Sequence, residues 1–147
     1  ALIGAFNIIG GLVMPVLIER LRDLRPVPLI LAATTAAGWI GVLVNASAAP
    51  LIWASLMGIG GMCFPLALAL LAARTREPAV TARLSGFVQP GGYLLAGGFP
   101  FIFGLVAQAT GGWSVSLAVL IALTVAMAVA GVAAARPVYI DDELLSK

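Results

Sequence analysis

Of the 147 residues, 62% are apolar and only 10% are charged, with eight Lys or Arg against six Asp or Glu. A water-soluble domain carries about 25% charge and a disordered chain needs low hydrophobicity, so both classes are excluded, and a net charge of +2 marks no nucleic-acid partner. The absence of His and the presence of one Cys, Cys63, exclude an intrachain disulfide and leave zinc or haem without the usual ligands.

The chain opens on Ala-Leu-Ile-Gly-Ala-Phe, with neither Met nor a basic stretch ahead of the apolar run. That is a poor match to a secretory leader, and the expectation is a piece of a longer membrane protein. Crossing a hydrocarbon core about 30 Å thick takes roughly 20 apolar residues in a helix. Five uncharged runs meet that need, at residues 2–18, 27–45, 51–73, 86–107 and 113–135. A charge at the centre of a span costs about 2.5–3.5 kcal/mol on insertion scales, which is why their exclusion reads as five transmembrane helices and the fold class as all-α integral membrane.

Charge falls only between and after these runs. Glu19, Arg20, Arg22, Asp23 and Arg25 follow the first; Arg74, Arg76, Glu77 and Arg83 follow the third; Arg136, Asp141, Asp142, Glu143 and Lys147 lie in the tail, residues 136–147. The connections 46–50 and 108–112 carry none. With one crossing per run, all charge lies on one side, and the positive-inside rule makes that side cytoplasmic. The expected topology therefore has an outside N-terminus and a cytoplasmic C-terminus, with Arg20, Arg22, Arg74 and Arg76 anchoring the inner loops. Trp53 and Trp113 open spans at the outer interface, and Tyr139 stands just past the last inner end.

Gly and Pro separate the spans. The first holds Gly4, Gly10, Gly11 and Pro15; the third holds Gly58, Gly60, Gly61 and Pro65; the fourth holds Gly86, Pro90, Gly91, Gly92, Gly97, Gly98, Pro100 and Gly104. Because Pro removes a ladder donor and Gly admits close backbone approach, these three are expected to be kinked, tightly packed or cavity-lining. The second and fifth spans read as peripheral, lipid-facing supports.

In the fourth span Gln89, Tyr93, Gly97, Pro100 and Gly104 form a small or polar stripe at helical spacing. Pro65, Pro90, Gly91, Gly92 and Pro100 are the candidate helix breaks or hinges. Broken helices are where transporters place binding groups, although the same small residues also suit close helix packing. At 1.5 Å per residue Asn7 lies about 16 Å, Tyr93 about 12 Å and Gln89 about 6 Å from the inner ends of their spans. Asn7, Met62 and Tyr93 are therefore nearest the midplane, while Gln89 reads as part of an inner gate. An interhelical hydrogen bond for either amide, and simple packing for Met62 and Cys63, are the plainer alternatives. No two glycines stand four apart, so the GxxxG dimer motif is missing. No span holds an acid, a base or a nucleophile dyad, so neither a proton relay nor an enzyme is expected, and no metal or cofactor.

Leu84-Ser85-Gly86-Phe87-Val88-Gln89, Gly92-Tyr93-Leu94-Leu95-Ala96, Gly98-Phe99-Pro100, Gly104 and Thr110-Gly111-Gly112-Trp113 resemble the eleventh-helix region of the cyanate permease and nitroimidazole transporter family, within the major facilitator superfamily. Phe64-Pro65-Leu66-Ala67-Leu68 with Arg74-Thr75-Arg76 is similar to the end of its tenth helix. Pro15-Val16-Leu17-Ile18-Glu19-Arg20 stands where the superfamily has a Gly-x-Leu-Ala-Asp-Arg loop motif, with Pro15 for the Gly and Glu19 for the Asp; Pro90-Gly91 also departs from the small or aliphatic pair expected before Gly-Tyr.

The resemblance implies that the five spans are the eighth to twelfth of twelve, most of the C-terminal six-helix bundle, with the eighth, tenth and eleventh helices lining a path. It implies transport of a small polar or anionic solute by alternating access across a bacterial plasma membrane, with Asn7, Met62, Phe64, Gln89 and Tyr93 facing the path. The expected partners are the lipid bilayer, the solute and the N-terminal half of the same transporter. The rival expectation is a non-transporting scaffold or subunit of a membrane complex, supported by the abundance of small residues.

Overall fold

The computed structural model describes residues 2–138, so Tyr139, Asp141, Asp142, Glu143 and Lys147 lie outside the described residues. The elements are six helices: α1 (Leu2–Arg20), α2 (Pro26–Asn45), α3 (Pro50–Gly61), α4 (Cys63–Ala73), α5 (Pro78–Thr110) and α6 (Ser114–Ala134). Taken with α3 and α4 as one run, Pro50–Ala73, they are five helices long and apolar enough to cross a membrane. The all-α integral membrane class is thus borne out.

Local chemistry sets the helix ends. Pro26, Pro50 and Pro78 open α2, α3 and α5, positions where the missing N–H is lost to the helix anyway. Gly111 ends α5 in the left-handed conformation, φ 70°, and Gly112 N donates to Ala107 O at 3.0 Å. This closes the last turn as a glycine cap does. Between α1 and α2, Asp23 Oδ1 accepts from Arg25 N at 3.0 Å.

Helix α5 is longer than the uncharged run inside it. Its 33 residues span about 50 Å at 1.5 Å per residue, against a hydrocarbon core of about 30 Å. Residues 78–85, including Arg83, are helical rather than loop.

The chain divides into two compact units, one containing the described residues up to Leu70 together with Leu117–Pro137, the other containing Leu71–Ser116. In the first unit α3 packs against both α1 and α2. Facing pairs give the directions. Phe6 lies against Gly58, Asn7 against Gly61, and Gly10 against Met62 and Pro65, so α1 runs parallel to the α3–α4 run. Leu31 and Thr35 face Gly60, Gly38 faces Met57, and Gly41 faces Trp53, so α2 runs antiparallel to α3.

A core cluster of Met14, Leu24, Val27, Leu31, Leu66, Leu70 and Ala135 closes one end of this unit, where α1, α4 and α6 finish and α2 begins. Gly131 of α6 stands against Pro28 there. Arg20, Arg22, Arg25 and Arg136 follow or flank these buried residues in the chain.

The second span, read from the sequence as a peripheral support, packs one face on α3 and leaves Leu29, Ile30, Ile40 and Val44 exposed. α2 buries Val27, Pro28, Leu31, Ala32, Gly38 and Gly41 and is the most buried of the five spans. Gly38 and Gly41, three residues apart, let α3 approach until Met57 and Trp53 fill the places of the missing side chains.

In the second unit the loop between α4 and α5 is tied by hydroxyls. Thr75 Oγ1 donates to Leu71 O at 3.0 Å and pairs with Thr81 Oγ1, which bonds Glu77 O. Near the other end of α5, Ser116 is fully buried and its Oγ donates to Phe103 O at 3.0 Å.

Candidate functional site

The one interruption within the α3–α4 span is at Met62, which has φ −62° and ψ −7° and donates N–H to Ile59 O at 3.0 Å, a tightened turn between α3 and α4. Its cause lies three residues on. Pro65 has no N–H for Gly61 O, and its ring crowds that carbonyl, so a straight α-helix cannot pass. Leu66 N resumes the normal pattern, donating to Met62 O at 3.0 Å. With Pro50 and Ala73 as its ends, the break lies roughly 17 Å from each, at mid-span.

α1 presents Phe6, Asn7 and Gly10 to this break. Asn7 is half-buried, its Nδ2 donating to Ile3 O at 3.1 Å in its own helix. The same nitrogen stands 3.4 Å from the point a Cβ on Gly61 would occupy. A Cβ on Gly10 would lie 2.8 Å from Pro65 Cγ and 3.0 Å from Met62 Cγ, so only glycine lets α1 lie this close. Asn7, Met62 and Pro65 are therefore brought together. Phe64, next along α4, is 52% exposed and points elsewhere than the buried Pro65 and Leu66.

Gln89 and Tyr93 share α5, one turn apart, with Gln89 half-buried and Tyr93 56% exposed. Helix α5 runs without interruption from Pro78 to Thr110, so the expected break at Pro90, Gly91 and Gly92, and a break at Pro100, are corrected. A proline deletes one ladder bond, yet the bonds on either side carry the helix through when nothing else opens it. The glycines of this helix also differ in use. Among the described residues nothing lies within 4 Å of a Cβ built on Gly86, Gly91, Gly92, Gly97, Gly98 or Gly104.

Arg20 ends α1, Arg22 is in the α1–α2 loop, and Arg74 and Arg76 are in the α4–α5 loop. Among the described residues no three His, Cys, Asp or Glu gather to hold a metal ion. Reading the sequence alone named Gly10, Gly58 and Gly61 as residues of closely packed spans but missed Phe6 and which of these residues face one another across α1 and α3.

No protein-family model and no solved structure matches the chain. Curated relatives do. The chain is 37% identical over 128 residues, 86% of its length, to an uncharacterized transporter of Bacillus subtilis, of which it covers 32%. It is 33% identical over 127 residues to the 2-nitroimidazole transporter of Escherichia coli, again covering 86% of this chain and 32% of the relative. It is 30% identical over 105 residues, 71% of this chain, to the cyanate transport protein of Escherichia coli, covering 27% of that protein. The chain spans about a third of the length of the curated relatives it matches first. These matches bear out the resemblance carried by residues 64–113.

Proposed function

We propose that this chain, kin to bacterial transporters of cyanate and 2-nitroimidazole, is part of the C-terminal bundle of a secondary transporter of the major facilitator type. The whole protein moves a small polar or anionic solute across a bacterial plasma membrane by alternating access. The observation that carries this reading is the mid-span break at Met62 beside the Asn7 amide. Secondary transporters place solute sites near the midplane, where interrupted helices turn backbone dipoles toward a cavity.

In this reading Asn7, Met62, Phe64, Gln89 and Tyr93 face the path. Pro65 breaks one path helix, and Arg20, Arg22, Arg74 and Arg76 hold the inner loops. The spans contain no basic residue at mid-depth, so the positive partner of an anionic solute comes from the other bundle or from a helix N-terminus. Bundle against bundle, the full-length protein rocks around a shared site.

Uptake of radiolabelled 2-nitroimidazole and cyanate into proteoliposomes of the full-length protein tests the proposal. Asn7→Leu and Tyr93→Phe are expected to raise KM or lower the maximal rate about tenfold or more for a transported solute. Unchanged kinetics in both variants would remove the lining role, and no flux of either solute above empty vesicles would favour a scaffold.

A further inference from the structure

We infer that one face of α5 seats a transmembrane helix from the rest of the same polypeptide, whose bulky side chains pack onto Gly91 and Gly98. The inference rests on the reading of this chain as part of a longer transporter.

At about 100° per residue, Phe87, Gly91, Leu94, Gly98, Phe101 and Leu105 fall within about 40° of one line along α5. Steps of four and three residues are the spacing of a helix-pair seam that crosses a partner at a shallow angle. Large side chains and glycines alternate along it. Phe87 is 84% exposed, Leu94 77%, Phe101 77% and Leu105 66%, and among the described residues nothing lies within 4 Å of a Cβ built on Gly91 or Gly98. Ala107, the buried residue of this helix, falls about 160° away from the line, so the seam faces away from the side on which α5 is covered. It is also distinct from the stripe of Tyr93, Gly97 and Gly104, which lies about 100° around the helix.

Contact with lipid does not call for such a surface. Hydrocarbon tails are as apolar as Leu, so helices in a bilayer associate through close packing, and glycine allows the closest. The same chain shows how a mid-span glycine is used: Gly38 receives Met57, Gly41 receives Trp53 and Gly58 receives Phe6. By contrast, α6 exposes Val119, Val125 and Val129 and has a single glycine, Gly131, which is filled by Pro28. Gly91 and Gly98, set between exposed Phe and Leu, follow the first pattern and open outward.

Length identifies the occupant. The chain covers 32% of its first two relatives, so a protein of their size holds about two thirds of its length outside it. A helix of the same polypeptide meets the seam at an effective concentration that a separate copy does not reach. Its matching feature is a pair of bulky apolar side chains seven residues apart, about 10 Å along the axis, the separation of Gly91 and Gly98.

The test uses the full-length protein with Cys63→Ser, reconstituted in phosphatidylethanolamine and phosphatidylglycerol liposomes, with a nitroxide label on Leu94→Cys or, for comparison, on Val125→Cys of α6. Power saturation reads the access of each label to molecular oxygen dissolved in the bilayer. Position 94 is expected to be at least about threefold less accessible than position 125. Equal access overturns the seat, because lipid then covers it. Dipolar broadening between labels at 94 that disappears on dilution with unlabelled protein overturns the occupant in favour of a second copy. A measurement with the seam unlabelled stands beside this one. Gly98→Leu is expected to lower Tm in detergent by about 4 °C or more, as overpacking a filled contact does, and Val129→Leu on the exposed side of α6 to leave it within about 1 °C. Equal shifts for the two substitutions also overturn the seat. Solute uptake is followed in the same liposomes: a shielded position 94 without uptake leaves the seat standing and overturns transport, and an accessible position 94 with uptake does the reverse.

Discussion

Glycine does opposite things at different places in this chain, and space decides which. Around Gly60, a Cβ would run into the Thr35 hydroxyl and Leu31 O. Thr35 Oγ1 already donates to Leu31 O at 2.8 Å, so α2 offers α3 a surface with its polar groups satisfied internally. Trp53 likewise lies on Gly41 while its Nε1 donates to Asn45 O at 3.1 Å, a carbonyl at the end of α2 that also accepts from Ala48 N at 3.3 Å and so is satisfied without a further turn of helix. Overpacking a filled site costs typically 1–3 kcal/mol. Gly60→Val is therefore expected to destabilise the full-length protein by about 2 kcal/mol in reversible detergent unfolding. Gly92→Ala, whose added methyl meets open space, should stay within about 0.5 kcal/mol. Ser116→Ala removes a buried bond to Phe103 O and should cost about 1 kcal/mol in the same measurement. Equal effects of Gly60→Val and Gly92→Ala would contradict this packing.

Two proline-containing helices came out differently. Pro65 coincides with a change of helix at Met62, whereas α5 passes through Pro90 and Pro100 unbroken. The difference lies in what surrounds each proline. Pro65 is buried against Gly10 and sits just beyond Gly58, Gly60 and Gly61, three residues that weaken the helix ahead of it. Pro90 and Pro100 are exposed, on a helix whose buried set is Ala107 alone. Pro65→Ala restores the donor to Gly61 O and is expected to straighten α3 into α4, lowering solute uptake at least tenfold. Spin labels at Ser55 and Ala72 should move apart as the bend is lost. Pro90→Ala adds one ladder bond to a helix already continuous, so uptake and label distances across α5 should hold. The stripe Gln89, Tyr93 and Gly97 was legible from spacing because one helix carries it. Pairing Asn7 with Gly61 was not, because it needs the register between two helices far apart in sequence.

Within the first unit the parallel run of α1 with α3–α4 and the antiparallel run of α2 are what three successive crossings require. The basic residues at 20, 22 and 25 then stand at one end of that unit, beside the cluster of Met14, Leu24, Val27 and Leu70. In lipid, burying apolar groups gains little, since hydrocarbon tails are as apolar as Leu, and close packing with hydrogen bonding takes over. That accounts for a seam made of glycines facing Met, Trp, Phe and Pro. The proposed topology makes a labelling prediction in a Cys63→Ser background. Single cysteines at Ser47 and Gly112 should react with an impermeant thiol reagent added to intact cells, and those at Asp23 and Arg76 only after permeabilisation. Labelling of position 23 from outside would reverse the orientation.

Composition and the placement of charge were enough to determine that the chain is a membrane protein of five spans, because excluding charge from a helix in hydrocarbon is a property of each segment alone. The motifs around Phe64 to Trp113 likewise pointed to its relatives, since a family pattern is carried along the chain. Which glycines pack and which face open space, that α2 lays Gly38 and Gly41 against α3, and that the break falls at Met62 beside Asn7 rather than at Pro90 were decided by tertiary structure. Each depends on what another helix places within a few ångströms, and a proline or glycine looks the same in sequence whether or not a neighbour takes up the space it leaves.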